Sequence, residues 1–150
     1  MAKTFHLAIP VTGDFNKTIE FYCKVLGCKK GNSEIHPFSA WCDIDFWGNE
    51  LTLHSSVNEF KVNERHLVDK EDVMIPHFGV HLDAEEFRSL KGKLLQDWKN
   101  VKFVNDPFIR FKGDVLEQET MFIKDPSDNV IEIKTMVNPD ALFGERNDGN

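Results

Sequence analysis

Apolar and polar residues alternate from the start of the chain. Between Thr4 and Val11, the side chains of Phe5, Leu7, Ile9 and Val11 point one way and those of His6, Ala8 and Pro10 the other, which is the period of a half-buried strand. Asp14 then stands in an N-cap position. Phe15, Ile19, Tyr22, Val25 and Leu26 recur at helical spacing until Gly27 stops the run. A turn region at Gly31-Asn32-Ser33 follows. Phe38 to Trp47 alternates again, with Ala40, Cys42, Ile44 and Phe46 on the apolar face and Trp41, Asp43, Asp45 and Trp47 on the other. Glu50 to Ser55 predicts one more strand.

The same order then returns. Pro76 to Leu82 predicts a strand, and Ala84 to Trp98 a helix capped by Asp83, with Phe87, Leu90, Leu94, Leu95 and Trp98 on its inner face. Val101 to Val104 and Phe108 to Phe111 predict two strand pieces interrupted by Pro107. Gln118 to Lys124 is strand-like, Asp125-Pro126-Ser127-Asp128 predicts a turn, and Asn129 to Met136 predicts the last strand. The layout is a repeated module, about 4–56 and about 76–136. Residues 57–75 carry no clear period and many charges (among them Glu59, Lys61, Glu64, Arg65, Asp69 and Lys70), and predict a solvated connection. The tail, 137–150, is polar and expected to fray, with Leu142 and Phe143 available to dock locally.

Composition narrows the picture. A chain of 150 residues with 13 Phe can bury one core or two half-domains sharing one. The formal charge of −7 and the lack of a basic stripe argue against a nucleic-acid partner. Apolar runs are of strand length, so no segment is expected to span a membrane. Cys23, Cys28 and Cys42 cannot all pair, show no CxxC spacing and follow no secretory signal; a reduced, cytoplasmic setting is expected.

His6 and His77 hold matching places in the two modules, and Glu132 lies in the last strand of the second. Two histidines and one carboxylate from separate strands make the ligand set of a facial triad, which holds a metal with coordination positions left open. Glu132 is the most telling of the three, because a carboxylate within Val-Ile-Glu-Ile is costly to bury without a partner or a metal. The plain alternative for each histidine is a satisfied structural group. His54, with its near-neutral intrinsic pKa, is either an acid–base group or a rim residue. His81 shares a strand face with His77 and is read as structural, and His36 and His66 fall in expected loops.

Several short motifs occur in a telling order. Phe5-His6-Leu7-Ala8 opens the chain, followed by Phe21-Tyr22 with Val25-Leu26-Gly27. Pro76-His77-Phe78-Gly79-Val80 opens the second half, and Asp125-Pro126-Ser127-Asp128-Asn129 before Val130-Ile131-Glu132-Ile133 closes it. Together, from Phe5 to about Met136, they resemble the vicinal oxygen chelate superfamily of glyoxalases, extradiol dioxygenases and bleomycin-resistance proteins. Asp45-Phe46-Trp47-Gly48-Asn49-Glu50-Leu51-Thr52-Leu53-His54, Ile109-Arg110-Phe111-Lys112-Gly113, and Glu117-Gln118 with Thr120-Met121-Phe122 resemble its glyoxalase/bleomycin-resistance/dioxygenase-like branch. The resemblance implies an α+β fold of two βαβββ modules, with curved mixed sheets forming a metal-containing cup and the helices outside. It also implies a homodimer.

The metal implied is a divalent ion, Fe(II) or Mn(II) by preference and Zn(II) or Ni(II) as possibilities, held by His6, His77 and Glu132. Aligning Gly48 to Leu53 with Asp128 to Ile133 sets Thr52 where a glyoxalase-like site would carry a fourth ligand. Threonine is a poor ligand, which favours three protein donors and a dioxygenase-like enzyme. A shifted register would make Glu50 the fourth ligand and restore a glyoxalase-like lyase or isomerase. In the dioxygenase-like reading a substrate with vicinal oxygens chelates the metal, His54 shuttles a proton, and Gln118 and Trp47 contact the substrate. Arg110 either holds an anionic group by a forked hydrogen bond or pairs with Glu117 or Glu119. A different class stays open: a bleomycin-resistance-like binding protein whose Trp41, Asp43, Asp45 and Trp47 line an acidic, aromatic groove for a cationic ligand.

Overall fold

The protein is described from a computed structural model, covering residues 3–56, 64–68 and 71–144. Parts of the expected connection (Glu59, Lys61, Asp69, Lys70) and the last residues of the tail lie outside that range. The chain divides into two compact units, Met1–Pro76 with Lys124–Asn129, and His77–Ile123 with Val130–Asn150. The boundary at Pro76 and His77 is where the repeat begins again.

The first unit opens with β1 (His6–Val11) and α1 (Phe15–Glu20), which widens into one π-type turn over Phe21–Val25. Asp14 caps the helix, its Oδ1 accepting the Lys17 N–H at 3.1 Å. Gly27, at φ +77, ends it in a conformation that side-chain-bearing residues avoid. The buried stripe is Thr18, Phe21, Tyr22 and Leu26, while Phe15, Ile19 and Val25 are only half-buried. A reading of apolar side chains alone passes over Thr18, which enters the core with its hydroxyl donating to the Asp14 carbonyl at 3.5 Å.

Three strands follow: β2 (Lys29–His36), β3 (Ser39–Phe46) and β4 (Asn49–Ser55). The sheet order is β1-β4-β3-β2, with β1 parallel to β4 and the other neighbours antiparallel. Ala40, Cys42, Ile44 and Phe46 are buried as their alternation predicts, and Leu51 and Leu53 join them from β4. Trp47 (φ 47) and Gly48 (φ 85) form the two-residue turn between β3 and β4, where both residues take left-handed conformations. The expected turn at Gly31-Asn32-Ser33 is instead part of β2. This is an edge strand whose side chains are nearly all exposed and whose register shifts between Lys30 and Ser33, so it shows no apolar alternation. His36 closes that strand, exposed, with Nε2 3.8 Å from Glu34. Within the expected connection, β5 (Glu64–Val68) and β6 (Glu71–Ile75) pair as an antiparallel hairpin, so His66 lies in a strand.

The Lys124–Asn129 turn belongs to this unit through a buried carboxylate. Asp125 is fully buried, and its Oδ1 accepts the Ser127 and Asn129 N–H groups at 2.8 and 2.9 Å. Its Oδ2 accepts the Tyr22 hydroxyl at 2.8 Å and the Asn129 side-chain amide at 2.7 Å. The Asn129 amide also donates to the Pro10 carbonyl, and Ser127 Oγ exchanges hydrogen bonds with the backbone of Thr12.

The second unit repeats the plan with β7 (Phe78–His81), α2 (Ala84–Gln96), β8 (Lys102–Arg110), β9 (Gln118–Lys124) and β10 (Val130–Met136). Its order is β7-β10-β9-β8, with β7 parallel to β10, which matches the first module strand for strand. The architecture is therefore α+β, two βαβββ modules each built on a mixed four-stranded sheet. Asp83 caps α2, accepting the Glu86 N–H at 2.8 Å, and Phe87, Leu90 and Leu94 are buried. Leu95 and Trp98, expected on that inner face, are exposed; Trp98 lies beyond the helix end at Gln96. Pro107 does not break β8, because β8 is an edge strand and can spare one N–H. Past β10 the chain makes one 3₁₀ turn, Pro139–Ala141, and Phe143 is almost fully exposed rather than docked.

Tyr22 is the chain's single tyrosine, so its titration can be read directly. Burial, and then the charge of Asp125, push its pKa well above the ordinary value of 10.0. A raised pKa leaves its stabilising contribution intact below the unfolded-state value near ~10 and removes it as pH climbs beyond. Tyrosinate absorbance should therefore stay absent through that range while the protein is folded and appear together with unfolding. Tyr22→Phe should cost about 1–3 kcal/mol in urea denaturation at neutral pH, since Asp125 loses a buried donor.

Candidate functional site

The polar face of the second module is built on β10 and its neighbours. Glu132 lies in the middle of β10, 6% exposed, between Ile131 and Ile133 on the buried side. Its Oε1 accepts the Thr120 hydroxyl from β9 at 2.8 Å. Its Oε2 lies 3.1 Å from His77 Nε2 and 3.6 Å from Lys134 Nζ. Burial alone raises the pKa of Glu132; the hydrogen bond from His77, the Lys134 charge and the Thr120 hydroxyl outweigh it, and the group ends below its ordinary 4.5. The carboxylate is ionised at neutral pH and has donors on both oxygens.

His77 is set by what surrounds it. It precedes β7, whose register places Gly79 opposite Glu132 and His81 opposite Lys134. Phe122, two residues beyond Thr120 on the same face of β9, meets the His77 ring edge-on at 5.0 Å. Gly79 lets β7 approach: a Cβ there would overlap the carbonyl oxygen of Glu132. His81 is more exposed, and burial followed by the Lys134 charge lowers its pKa against the pull of Glu132, so it is neutral at neutral pH.

In the first module, register sets His6, Ala8 and Pro10 of β1 opposite Glu50, Thr52 and His54 of β4, which in turn face Asp45, Asp43 and Trp41 of β3. His6 Nδ1 lies 2.6 Å from Glu50 Oε1, so Nε2 is the ring nitrogen turned away from that carboxylate. Thr52 donates to Asp43 at 2.7 Å. His54 is exposed, with Nδ1 3.1 Å from the Ser55 carbonyl. Counting from each histidine, Ala8 and Gly79 are equivalent, and their register partners are Thr52 and Glu132. The unshifted alignment is the one the strands adopt.

The remaining expected residues are spread over both modules. Trp47 sits in the β3–β4 turn, its ring edge-on to Phe46 at 4.8 Å, and lines a small recess of about 210 Å³ with Cys28 and Lys29. The Arg110 guanidinium lies over the Phe111 ring at 4.8 Å. Glu119 pairs with Lys91 at 2.7 Å, and Glu117 accepts the Gly113 N–H at 2.7 Å. Gln118 is buried two residues before Thr120. Its Nε2 is held by the Leu116 carbonyl at 3.4 Å, and its Oε1 has no hydrogen-bond partner among the described residues. Among the described residues, no group of three or more His, Cys, Asp or Glu side chains is gathered as a metal cluster. The second module brings His77 and Glu132 together, and the first brings His6 to Glu50. Sequence reasoning passed over Lys134 and the support given by Thr120 and Phe122. Their one signal is the alternation that puts them on the face of Glu132.

No protein-family model matches the chain, and no curated protein does. Solved structures do. A glyoxalase/bleomycin resistance protein/dioxygenase from Alicyclobacillus acidocaldarius is 30% identical, with 94% of this chain and 96% of that one covered and a TM-score of 0.72. A glyoxylase/bleomycin resistance protein/dioxygenase domain from Frankia sp. shares the fold at 11% identity, with coverage of 93% and 95% and a TM-score of 0.66. A genomically encoded fosfomycin resistance protein from Listeria monocytogenes does so at 14% identity, with coverage of 90% and 92% and a TM-score of 0.57.

Gly79 and Gly92 give a matched test of the close approach at Glu132. Gly79→Ala should lose several kcal/mol or fail to fold, because β7 and β10 must separate at the candidate site. Gly92→Ala, in α2 with open space around it, should gain about 0.5–1 kcal/mol. Thermal melts of the two variants beside wild type would check both signs.

Proposed function

The chain belongs to the glyoxalase/bleomycin resistance/dioxygenase family of the vicinal oxygen chelate superfamily, and on that premise we propose that it is a metal-dependent, dioxygenase-like enzyme acting on a small molecule with vicinal oxygens. His77 and Glu132 supply two protein donors and His6, from the first module, the third. The observation that carries the reading is the buried, ionised Glu132 carboxylate 3.1 Å from His77 Nε2. A nitrogen and an oxygen 3.1 Å apart suit a hydrogen bond and would equally suit two donors to one divalent ion. A neutral imidazole nitrogen and a carboxylate oxygen suit Fe(II) or Mn(II), with Zn(II) or Ni(II) also accommodated.

Three donors rather than four are favoured by the register. Thr52 stands where a fourth ligand would be and is engaged with Asp43, while Glu50 is turned to His6 Nδ1. Glu50 then acts as a carboxylate that orients a ligand histidine and leaves Nε2 to coordinate. A divalent ion in such a site supplies Lewis acidity and a template with open positions. The residues around it hold and orient. Thr120 fixes one Glu132 oxygen and Phe122 restrains the His77 ring; Gln118, buried on β9 with an unpartnered Oε1 among the described residues, is the proposed polar contact for the substrate.

Protein purified without chelator or polyhistidine tag should carry stoichiometric metal. His77→Ala and Glu132→Ala should each weaken its binding by at least about tenfold. Stoichiometric metal that survives both changes would end the reading. An oxygen electrode with a catechol panel should then record uptake by the Fe(II)-loaded protein. Loaded protein that is inert toward oxygen but active on a hemithioacetal would move the assignment to a glyoxalase-like lyase or isomerase.

A further inference from the structure

We propose that Lys134 receives an anionic group of the substrate, and that Glu132 holds it in reserve until a divalent cation takes that carboxylate. The inference rests on the metal-binding reading of His77 and Glu132. Lys134 lies two residues beyond Glu132 on the same face of β10, and its side chain is only a quarter exposed. Glu132 is its ion-pair partner among the described residues, and the 3.6 Å contact is longer than a hydrogen bond. Thr120 and His77 already answer both Glu132 oxygens at 2.8 and 3.1 Å. The ammonium is therefore a loosely held third party.

A cation at Glu132 changes the balance of charge. The carboxylate that steadied Lys134 becomes a ligand, and the ion repels the neighbouring ammonium. His81, across the strand pair from Lys134, offers an ammonium no counter-charge in either protonation state. His77 is neutral when it donates to an ion. The loaded face is then net positive around a half-buried ammonium with no counter-charge, which is costly unless an anion arrives. Arg110, the cation the sequence suggested for this task, is on β8, two strands from β10, stacked on Phe111. The substrate class that follows is a small molecule with oxygens for the ion and, a lysine's reach away, an acidic substituent such as a carboxylate.

Mutual dependence of cation and anion binding is the measurable consequence, since each site must shift the other's affinity equally. The probes are Mn(II), followed by calorimetry, and sulfate, compared with chloride at matched ionic strength. In wild type, sulfate should tighten Mn(II) binding by about fivefold, at the lower end of usual coupling strengths. Lys134→Met should bind Mn(II) about tenfold more tightly without sulfate, having lost the competing ammonium, and should lose the sulfate effect. Lys134→Arg should keep that effect, and Lys134→Gln serves in place of the methionine variant if that variant does not fold. An unchanged sulfate effect in the uncharged variants, or Mn(II) affinity equal to wild type, would overturn the role of Lys134 and leave the metal site standing. Wild-type protein that binds no Mn(II) would instead remove the metal reading, and this inference with it.

Discussion

Burying a carboxylate costs several kcal/mol unless its oxygens are answered, and among the described residues Asp125 and Glu132 both meet that constraint. Asp125 and Glu132 lie at the two ends of the same stretch of chain, yet they are answered differently. Asp125 takes two backbone N–H groups from its own turn and two uncharged side-chain donors. Those partners are fixed by the fold, so the arrangement specifies one conformation of the turn. Glu132 is answered by a histidine, a threonine and a loosely placed lysine, all through side chains. Glu132 thus has no backbone donor of its own among the described residues, whereas two of the four donors to Asp125 are main-chain groups of its own turn.

Much of the fold was legible because burial in it is one-sided. The alternation from Ala40 to Phe46, the caps at Asp14 and Asp83 and the stop at Gly27 each follow from local chemistry and appear where expected. What escaped notice is what burial does not mark. Strand β2 is exposed on nearly every residue and bulged, and β5 and β6 lie in a charge-rich segment with no clear apolar period. Pro107 read as a break because proline removes a donor, which matters little on an edge. Of the site, His77 and Glu132 could be found, since a carboxylate among aliphatic residues asks for a reason. Thr120 and Lys134 carry no such signal, because only the folded strands show that they reach Glu132.

The duplication has kept its geometry while its chemistry diverged. Both modules use the same strand order and the same parallel pairing of first and last strands. The place of the buried Glu132 is occupied in the first module by Thr52, a short side chain already tied to Asp43. The first module instead has Glu50 beside His6, where both side chains are about half exposed and an ion pair contributes little to stability. Two modules of one topology thus carry different polar side chains at matching places. Substitutions confined to one strand face are enough to produce this difference, because they leave the opposite, core-facing residues untouched.

The turn at Lys124–Asn129 is made by the second repeat but packs as part of the first unit. Division at Pro76 would therefore not yield two self-sufficient halves. The first would lose the acceptor of its buried Tyr22 hydroxyl and the groups that bond the backbone of Pro10 and Thr12. The repeat boundary visible in the sequence is therefore not a boundary at which the chain can be cut without breaking those bonds.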